Sequence, residues 1–464
     1  MRSVASILLF SLLLGCSIPK PLVERIKEEG ELLVITRNSP TTYYEGREGL
    51  QGLEYELVTL FARELGVKTR FIIPDRFEEI IPKIVAGEAH FAAAGLTVTN
   101  NKETEVRFGP GYQNITQQLV YRAGSKRPKK ITDTIVGNLE IVRGGSHEEV
   151  LEKLKTQYPK LRWVAQSELD SEELLYLVKE QVIDYTVADS NVVALSRRFH
   201  PELKVAFDLT TPLPLAWAFP HAEDSSLYNA ARDFLEKIKN QGKLDQLIER
   251  YYGHAERLGF VDTRTFRRHS AKRLPLLIPY FKLAAEETGL DWQLLAAIGY
   301  QESHWNPKAV SPTGVKGIMM LTQATAKQLG IKDRQDPEQS ILGGSRYLRL
   351  MEKKIPERIQ EPDRLWLALA GYNVGFAHLE DARILTQRSG GDPDKWADIK
   401  QYLPLLSQEK YYSTLKHGYA RGREPVTYVD NIRSYYDLLV WDNTQRQEKP
   451  KTKTQALSTT PAVL

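Results

Sequence analysis

Glu302 closes a stretch in which apolar residues recur at Leu294, Leu295 and Ile298, and helical spacing puts its carboxylate on the same side as Leu295 and Ile298. Asp291 stands where an N-cap would be, and Trp305 follows just before the Asn306-Pro307 break. This predicts an acid in a partly desolvated aromatic cleft. Burial disfavours the charged form, so such a carboxyl keeps its proton to higher pH and can deliver it to a departing sugar oxygen. A single glutamate at a helix end also fits a carboxylate that reaches solvent or caps a neighbour, so other residues must decide.

Those residues are Gln301-Glu302-Ser303, Gly317-Ile318-Met319-Met320-Leu321-Thr322, Gly371-Tyr372-Asn373 and Tyr428-Val429-Asp430-Asn431-Ile432, in that order. The set resembles the soluble lytic transglycosylases, which are related to goose-type lysozyme. Among them it is most similar to the membrane-bound F type, which joins a solute-binding-like domain to the catalytic module. The resemblance implies that Glu302 is the single acid/base and that Ser303 hydrogen-bonds near the cleaved linkage. Met320 stands where many relatives carry glutamine, Gly371 replaces the alanine of an Ala-Tyr-Asn motif formed with Tyr372 and Asn373, and Tyr428 matches a tyrosine near the acid.

Ordinary glycosidases use two carboxylates, and no motif here supplies the second. The resemblance implies that the substrate's own 2-acetamido group stabilises the positive C1 and that its C6 hydroxyl attacks in place of water. The expected reaction is cleavage of peptidoglycan between N-acetylmuramic acid and N-acetylglucosamine. It leaves 1,6-anhydro ends, needs no cofactor or metal, and makes the enzyme formally a lyase. A lysozyme would leave reducing ends instead.

Two kinds of scaffold carry these residues. At 464 residues the chain exceeds what one core usually supports. Residues 31–253 alternate β-branched runs with helical periodicity, with strands expected at 32–36, 67–73, 91–94, 118–121, 139–142 and 184–187. Helices are expected at 53–65 and 77–85, and a last one from 226 to 252. Beyond a basic, polar linker at 254–272, residues 273–442 carry helical stripes and almost no strand signal. The fold class expected is a two-lobed α/β periplasmic-binding-protein-like domain followed by an all-α lysozyme-like domain. From Asn443 onward the composition is that of a disordered tail.

In the first half, Gly52-Leu53-Glu54-Tyr55-Glu56-Leu57 and Gly95-Leu96-Thr97-Val98-Thr99 through Phe108 to Tyr112 resemble periplasmic amino-acid-binding proteins. The resemblance implies a regulatory ligand, a muropeptide or peptide fragment of the cell wall, with Thr97 on the carboxylate shelf and Asp189 meeting an amino group. Lys102 takes the place of the family's arginine and lacks its planar bidentate fork. A spacer or docking domain, and a transport receptor, are the competing readings of this half. A helical domain that only anchors to the wall would require a lost acid or scrambled motifs.

The chain opens with Met1-Arg2 and an apolar run over residues 4–14, too short to span a bilayer, ending in Gly15-Cys16. This reads as a signal peptide over 1–15. Leu13-Leu14-Gly15-Cys16 resembles a bacterial lipobox, which implies lipidation of Cys16, a tether over 16–30 and a membrane held through the lipid anchor. An ordinary signal peptide with an incidental cysteine is the alternative. Ser17 after the cysteine resembles the pattern of outer-membrane delivery on the periplasmic side in Gram-negative bacteria. The only cysteine being Cys16, no disulfide within the chain and no thiol nucleophile elsewhere is available.

A net charge of +4 without a long basic run argues against a nucleic-acid partner. Nine histidines without a His-Glu-x-x-His pattern argue against a metal site. Gly109-Pro110-Gly111 lacks the Lys-Ser/Thr of a phosphate loop.

Overall fold

A computed structural model describes residues 20–46, 49–253 and 260–448. The signal peptide and Cys16 lie outside the described residues. The first half is two lobes, each on a five-stranded sheet. One sheet runs in the order Lys68–Ile72, Glu31–Ile35, Phe91–Ala92, Ala218–Pro220, Val106–Phe108. The other runs Val164–Gln166, Leu139–Val142, Tyr185–Asp189, Gln117–Arg122, Leu203–Asp208.

The chain crosses between lobes twice, and the crossing segments Gln113–Ile115 and Leu213–Leu215 pair antiparallel with Leu213 opposite Ile115. This two-stranded hinge is the covalent link about which the lobes can move. The first lobe's core includes Phe61, Phe91, Trp217 and Phe234, with Phe91 and Trp217 ring centroids 4.9 Å apart. Burial of such rings is the main source of stability for each lobe.

Two elements differ from the sequence expectation here. The helix expected over 226–252 is two, Ser226–Asn240 and Lys243–Tyr252, because Gly242 takes a left-handed φ of 70° between them. The stretch read as a linker is helical over Phe260–Lys272. Its basic character masked a narrow buried stripe of Thr263, Phe266 and Ser270, spaced at i, i+3 and i+7. Phe266 stacks on Tyr435 at 5.1 Å and meets Tyr300 edge-on at 4.7 Å, so this helix is built into the second domain's core.

The second domain is helical, as expected. Trp292–Ser303 runs through its middle and is buried at every position from Gln293 to Tyr300. Leu274–Thr288, Pro337–Lys354, Asp363–Val374 and Arg423–Glu448 surround it. The last of these continues beyond Asn443, where a disordered tail was expected, and residues 449–464 lie outside the described residues.

Helix Arg423–Glu448 also crosses both lobes of the first domain. Arg433 donates to Glu249 Oε1 at 3.0 Å and to the carbonyls of Glu249 and Arg250, on the first lobe's final helix. One turn on, Asp437 accepts from Arg198 of the second lobe at 2.5 Å. A single rigid element therefore holds both lobes.

Candidate active site

Asp291 caps the acid-bearing helix by accepting from Gln293 N at 2.9 Å, and Leu295 and Ile298 fix its register in the core. The helix ends directly after Glu302 and Ser303. His304 and Trp305 both take left-handed backbone conformations, φ 51° and 58°, which non-glycine residues adopt at a cost. Side chains help hold this corner: Arg273 donates to the His304 carbonyl at 2.8 Å, and Trp305 Nε1 to the Ala296 carbonyl at 2.8 Å. Trp305 is thereby committed to the core beside Tyr300 and Phe266, and the rings nearest the acid are tyrosines.

Tyr428, carried by helix Arg423–Glu448, donates to Glu302 Oε1 at 2.6 Å. Its ring lies parallel to that of Tyr372, centroids 6.3 Å apart, and Tyr372 meets Tyr347 edge-on at 5.0 Å. Burial pushes the Glu302 carboxyl up to about 7, with the Tyr428 hydrogen bond pulling the other way. Burial, followed by the nearby Glu302 charge, drives the hydroxyls of Tyr372 and Tyr428 well above the usual tyrosine value, so both remain donors.

The wall opposite is the turn at residues 317–320, closed by Lys316 and Leu321 in an antiparallel bridge. Gly317 is required there: its φ is +86°, and a Cβ would lie 1.7 Å from the Arg334 carbonyl oxygen. The turn's Met319 carbonyl accepts from Tyr372 Oη at 3.0 Å, while Met319 N donates to Ser340 Oγ at 3.2 Å. Met320 takes a φ of 46° at the turn's end and stays partly exposed.

Ser303 Oγ donates toward the Ile318 carbonyl at 2.9 Å and accepts from Asn306 N at 3.2 Å. It thus ties the acid's helix to the turn, a structural engagement alongside the substrate contact expected of it. Asn373 is exposed one residue beyond Tyr372. Tyr347 was missed by sequence reasoning, because a tyrosine inside an amphipathic helix reads as ordinary core.

In the first domain, Thr97, Lys102 and Asp189 border one cavity between the lobes, of about 20 Å³. That volume holds about one water. Asp189 Oδ1 is already paired with His147 Nε2 at 2.9 Å, and Lys102 Nζ lies 3.9 Å from Glu149 of the other lobe. Arg37 borders the same cavity and was not singled out from sequence. Its place just after strand Glu31–Ile35 was the available signal, since α/β sheets present ligands to the carboxyl ends of their strands. A wider cavity of about 660 Å³, lined by Phe77, Lys102, Gly145 and Glu149 among others, adjoins it.

A helical domain that presents one carboxyl, pushed up to about 7 by burial, among tyrosines has what general acid cleavage of a glycosidic bond requires. The Transglycosylase SLT domain family matches residues 279–394, and the bacterial extracellular solute-binding proteins, family 3, match residues 32–254. A membrane-bound lytic murein transglycosylase F of Saccharophagus degradans is 48% identical over 435 residues, covering 94% of this chain and 87% of that protein. A protein of the same name, numbered 1, from Alkalilimnicola ehrlichii is 49% identical, covering 91% and 85%; one from Pseudomonas fluorescens is 44% identical, covering 93% and 89%. Among solved structures, an ArgBP mutant from T. maritima aligns with 50% of this chain and 99% of its own at 23% identity and a TM-score of 0.45. The chain belongs to the membrane-bound lytic murein transglycosylase F family.

Proposed function

We infer that this chain is a peptidoglycan lytic transglycosylase, a lyase, in which Glu302 is the only acid/base. The observation that carries the assignment of Glu302 is its placement: it accepts from Tyr428 Oη at 2.6 Å beside Tyr372, where burial pushes the carboxyl up to about 7 and only the Tyr428 hydrogen bond acts against it. No neighbouring carboxylate contributes, so a second acidic partner is not part of the scheme.

Glu302 gives its proton to the glycosidic oxygen as the C1–O bond breaks. The substrate's acetamido oxygen shares the positive charge at C1. The C6 hydroxyl of the same sugar then bonds to C1 and returns its proton to Glu302, closing the 1,6-anhydro ring with no water consumed. Tyr428 steadies the carboxylate formed midway, because its hydrogen bond strengthens as charge develops. Tyr372 fixes the 317–320 turn, and with Ser303, Met320, Asn373 and Tyr428 it forms the sugar-binding surface in this reading.

Mass spectrometry of the soluble products of purified peptidoglycan tests it, with Glu302→Gln alongside. Anhydro-muropeptides from the wild type alone are expected. Reducing ends would make the enzyme a hydrolase, and anhydro products from the variant would remove Glu302 from its role.

The name membrane-bound carried by the relatives supports a membrane-associated protein. Among the described residues no helix is long and apolar enough to cross a membrane. The reading that fits is a lipid on Cys16, holding the enzyme to the periplasmic side of the outer membrane. A mass increase on the mature N-terminal peptide, absent from Cys16→Ser, tests the anchor.

The first domain, in this reading, binds a muropeptide or peptide effector at the cleft that Thr97, Lys102 and Asp189 border. Helix Arg423–Glu448 supports a link to catalysis, since it holds both lobes and also carries Tyr428. Cell-wall fragments that change neither melting temperature nor glycan turnover would refute it.

A further inference from the structure

The cleft between the lobes is closed by the protein's own carboxylates. Glu172 of the second lobe faces Arg37 of the first, Nη1 to Oε2 at 4.0 Å, and accepts from Ser39 Oγ. Glu149 of the second lobe accepts from Thr99 Oγ1 at 2.9 Å. These contacts are incomplete. Arg37 Nε, Glu172 Oε2, Glu149 Oε2 and His147 Nδ1 are all buried without a hydrogen-bond partner. Native interiors rarely leave such atoms unpaired, and here Arg37 and His147 border the small cavity while Glu149 borders the wider one beside it.

Arg37 is the group in this cluster best suited to an anion. Its guanidinium presents a fork that Glu172 meets only at 4.0 Å and that donates to Thr41 Oγ1 only at 3.5 Å, and the Phe77 ring, 5.7 Å away, backs it. Lys102, by contrast, is a point charge already turned to Glu149. Burial also raises the Glu172 carboxyl above its usual range, so its charged form is poorly held where it sits.

Resting on the reading that the cleft is a ligand site, we propose that Arg37 and Ser39 form its anion point, which takes the free carboxylate of a short peptide, and that Glu172 occupies this point when no ligand is bound. The ligand enters from the wider cavity, displaces Glu172 and takes both arms of the Arg37 fork together with the Ser39 hydroxyl. The unliganded cleft is therefore latched shut, and the ligand competes with a built-in substitute.

Isothermal titration of the full-length chain in detergent tests this, with N-acetyl-D-alanyl-D-alanine and its C-terminal amide as probes. The acid should bind about tenfold or more tightly than the amide, and Arg37→Gln should abolish the difference. Glu172→Gln, nearly isosteric, should bind the acid several-fold more tightly than wild type while melting no lower than it. Equal binding of acid and amide, or weaker binding of the acid by Glu172→Gln, overturns the proposal. If larger cell-wall fragments still shift the melting temperature in that case, the ligand-site reading survives alone. If no probe or fragment binds wild type or Glu172→Gln, both fall.

Discussion

Tyr428 Oη and Glu302 Oε1 lie 2.6 Å apart although 126 residues separate them in sequence. The bond joins the central helix of the catalytic domain to the helix that spans both lobes of the first domain. It also acts against burial in setting the acid's protonation.

Removing that hydroxyl should expose the contribution of burial alone. In Tyr428→Phe the alkaline limb of the pH profile of kcat/KM on soluble glycan strands should move above the wild-type value, because the charged form loses a donor. The wild-type limb should fall near the acid's value of about 7. We expect kcat to drop about ten- to a hundredfold. An unmoved limb would dissociate Tyr428 from the acid.

Glu302 should destabilise the fold at neutral pH. Below about 4.5 the carboxyl is protonated in both folded and unfolded chains and contributes nothing. Between 4.5 and about 7 the unfolded chain releases the proton while the native state keeps it, so stability falls as pH rises. The full penalty, up to roughly 3 kcal/mol, applies above 7. Glu302→Gln, which mimics the neutral acid, should therefore melt a few degrees higher than wild type at pH 8 and equally at pH 4, while losing activity. A lower melting temperature at pH 8 would contradict the desolvated placement.

Glu249 should couple the two domains. Its carboxylate pairs with Arg433 at 3.0 Å and Lys400 at 2.8 Å, and the Arg433 side chain is almost wholly buried. Glu249→Ala leaves that guanidinium with its carbonyl contacts and the more distant Asp430. A loss of roughly 2–4 kcal/mol is expected. Calorimetry should show the first domain melting separately from the second; one unchanged transition would mean that the clamp carries no coupling.

Gly317 and Gly314 offer a paired test of the turn opposite the acid. Both have positive φ, 86° and 82°, but a Cβ at 317 meets backbone while one at 314 meets nothing within 4 Å. Gly314→Ala should cost about 1 kcal/mol from backbone strain alone. Gly317→Ala should cost roughly 3 kcal/mol or more and abolish turnover, because the turn that accepts Tyr372 cannot form. Urea unfolding of the two variants distinguishes these outcomes.

Sequence by itself determined the fold class, the helix register that buries Leu295 and Ile298, and the residues that accompany Glu302. Each of these is a local matter: helical spacing, glycine at a turn, or a motif of adjacent residues. Apart from Tyr428, which the family resemblance put near the acid, what neighbours each residue across the fold was not legible. Trp305, expected to wall the cleft, is drawn into the core by its bond to Ala296, and tyrosines from two other helices take its place. The helix Phe260–Lys272 was hidden because its buried stripe is only Thr263, Phe266 and Ser270, too short and too polar to stand out in a basic stretch. Arg37 and Glu172 lie far apart in sequence, and each alone reads as an ordinary surface charge. Only the packing of one lobe on the other brings them together, because burial and charge pairing depend on three-dimensional proximity, which local sequence does not encode.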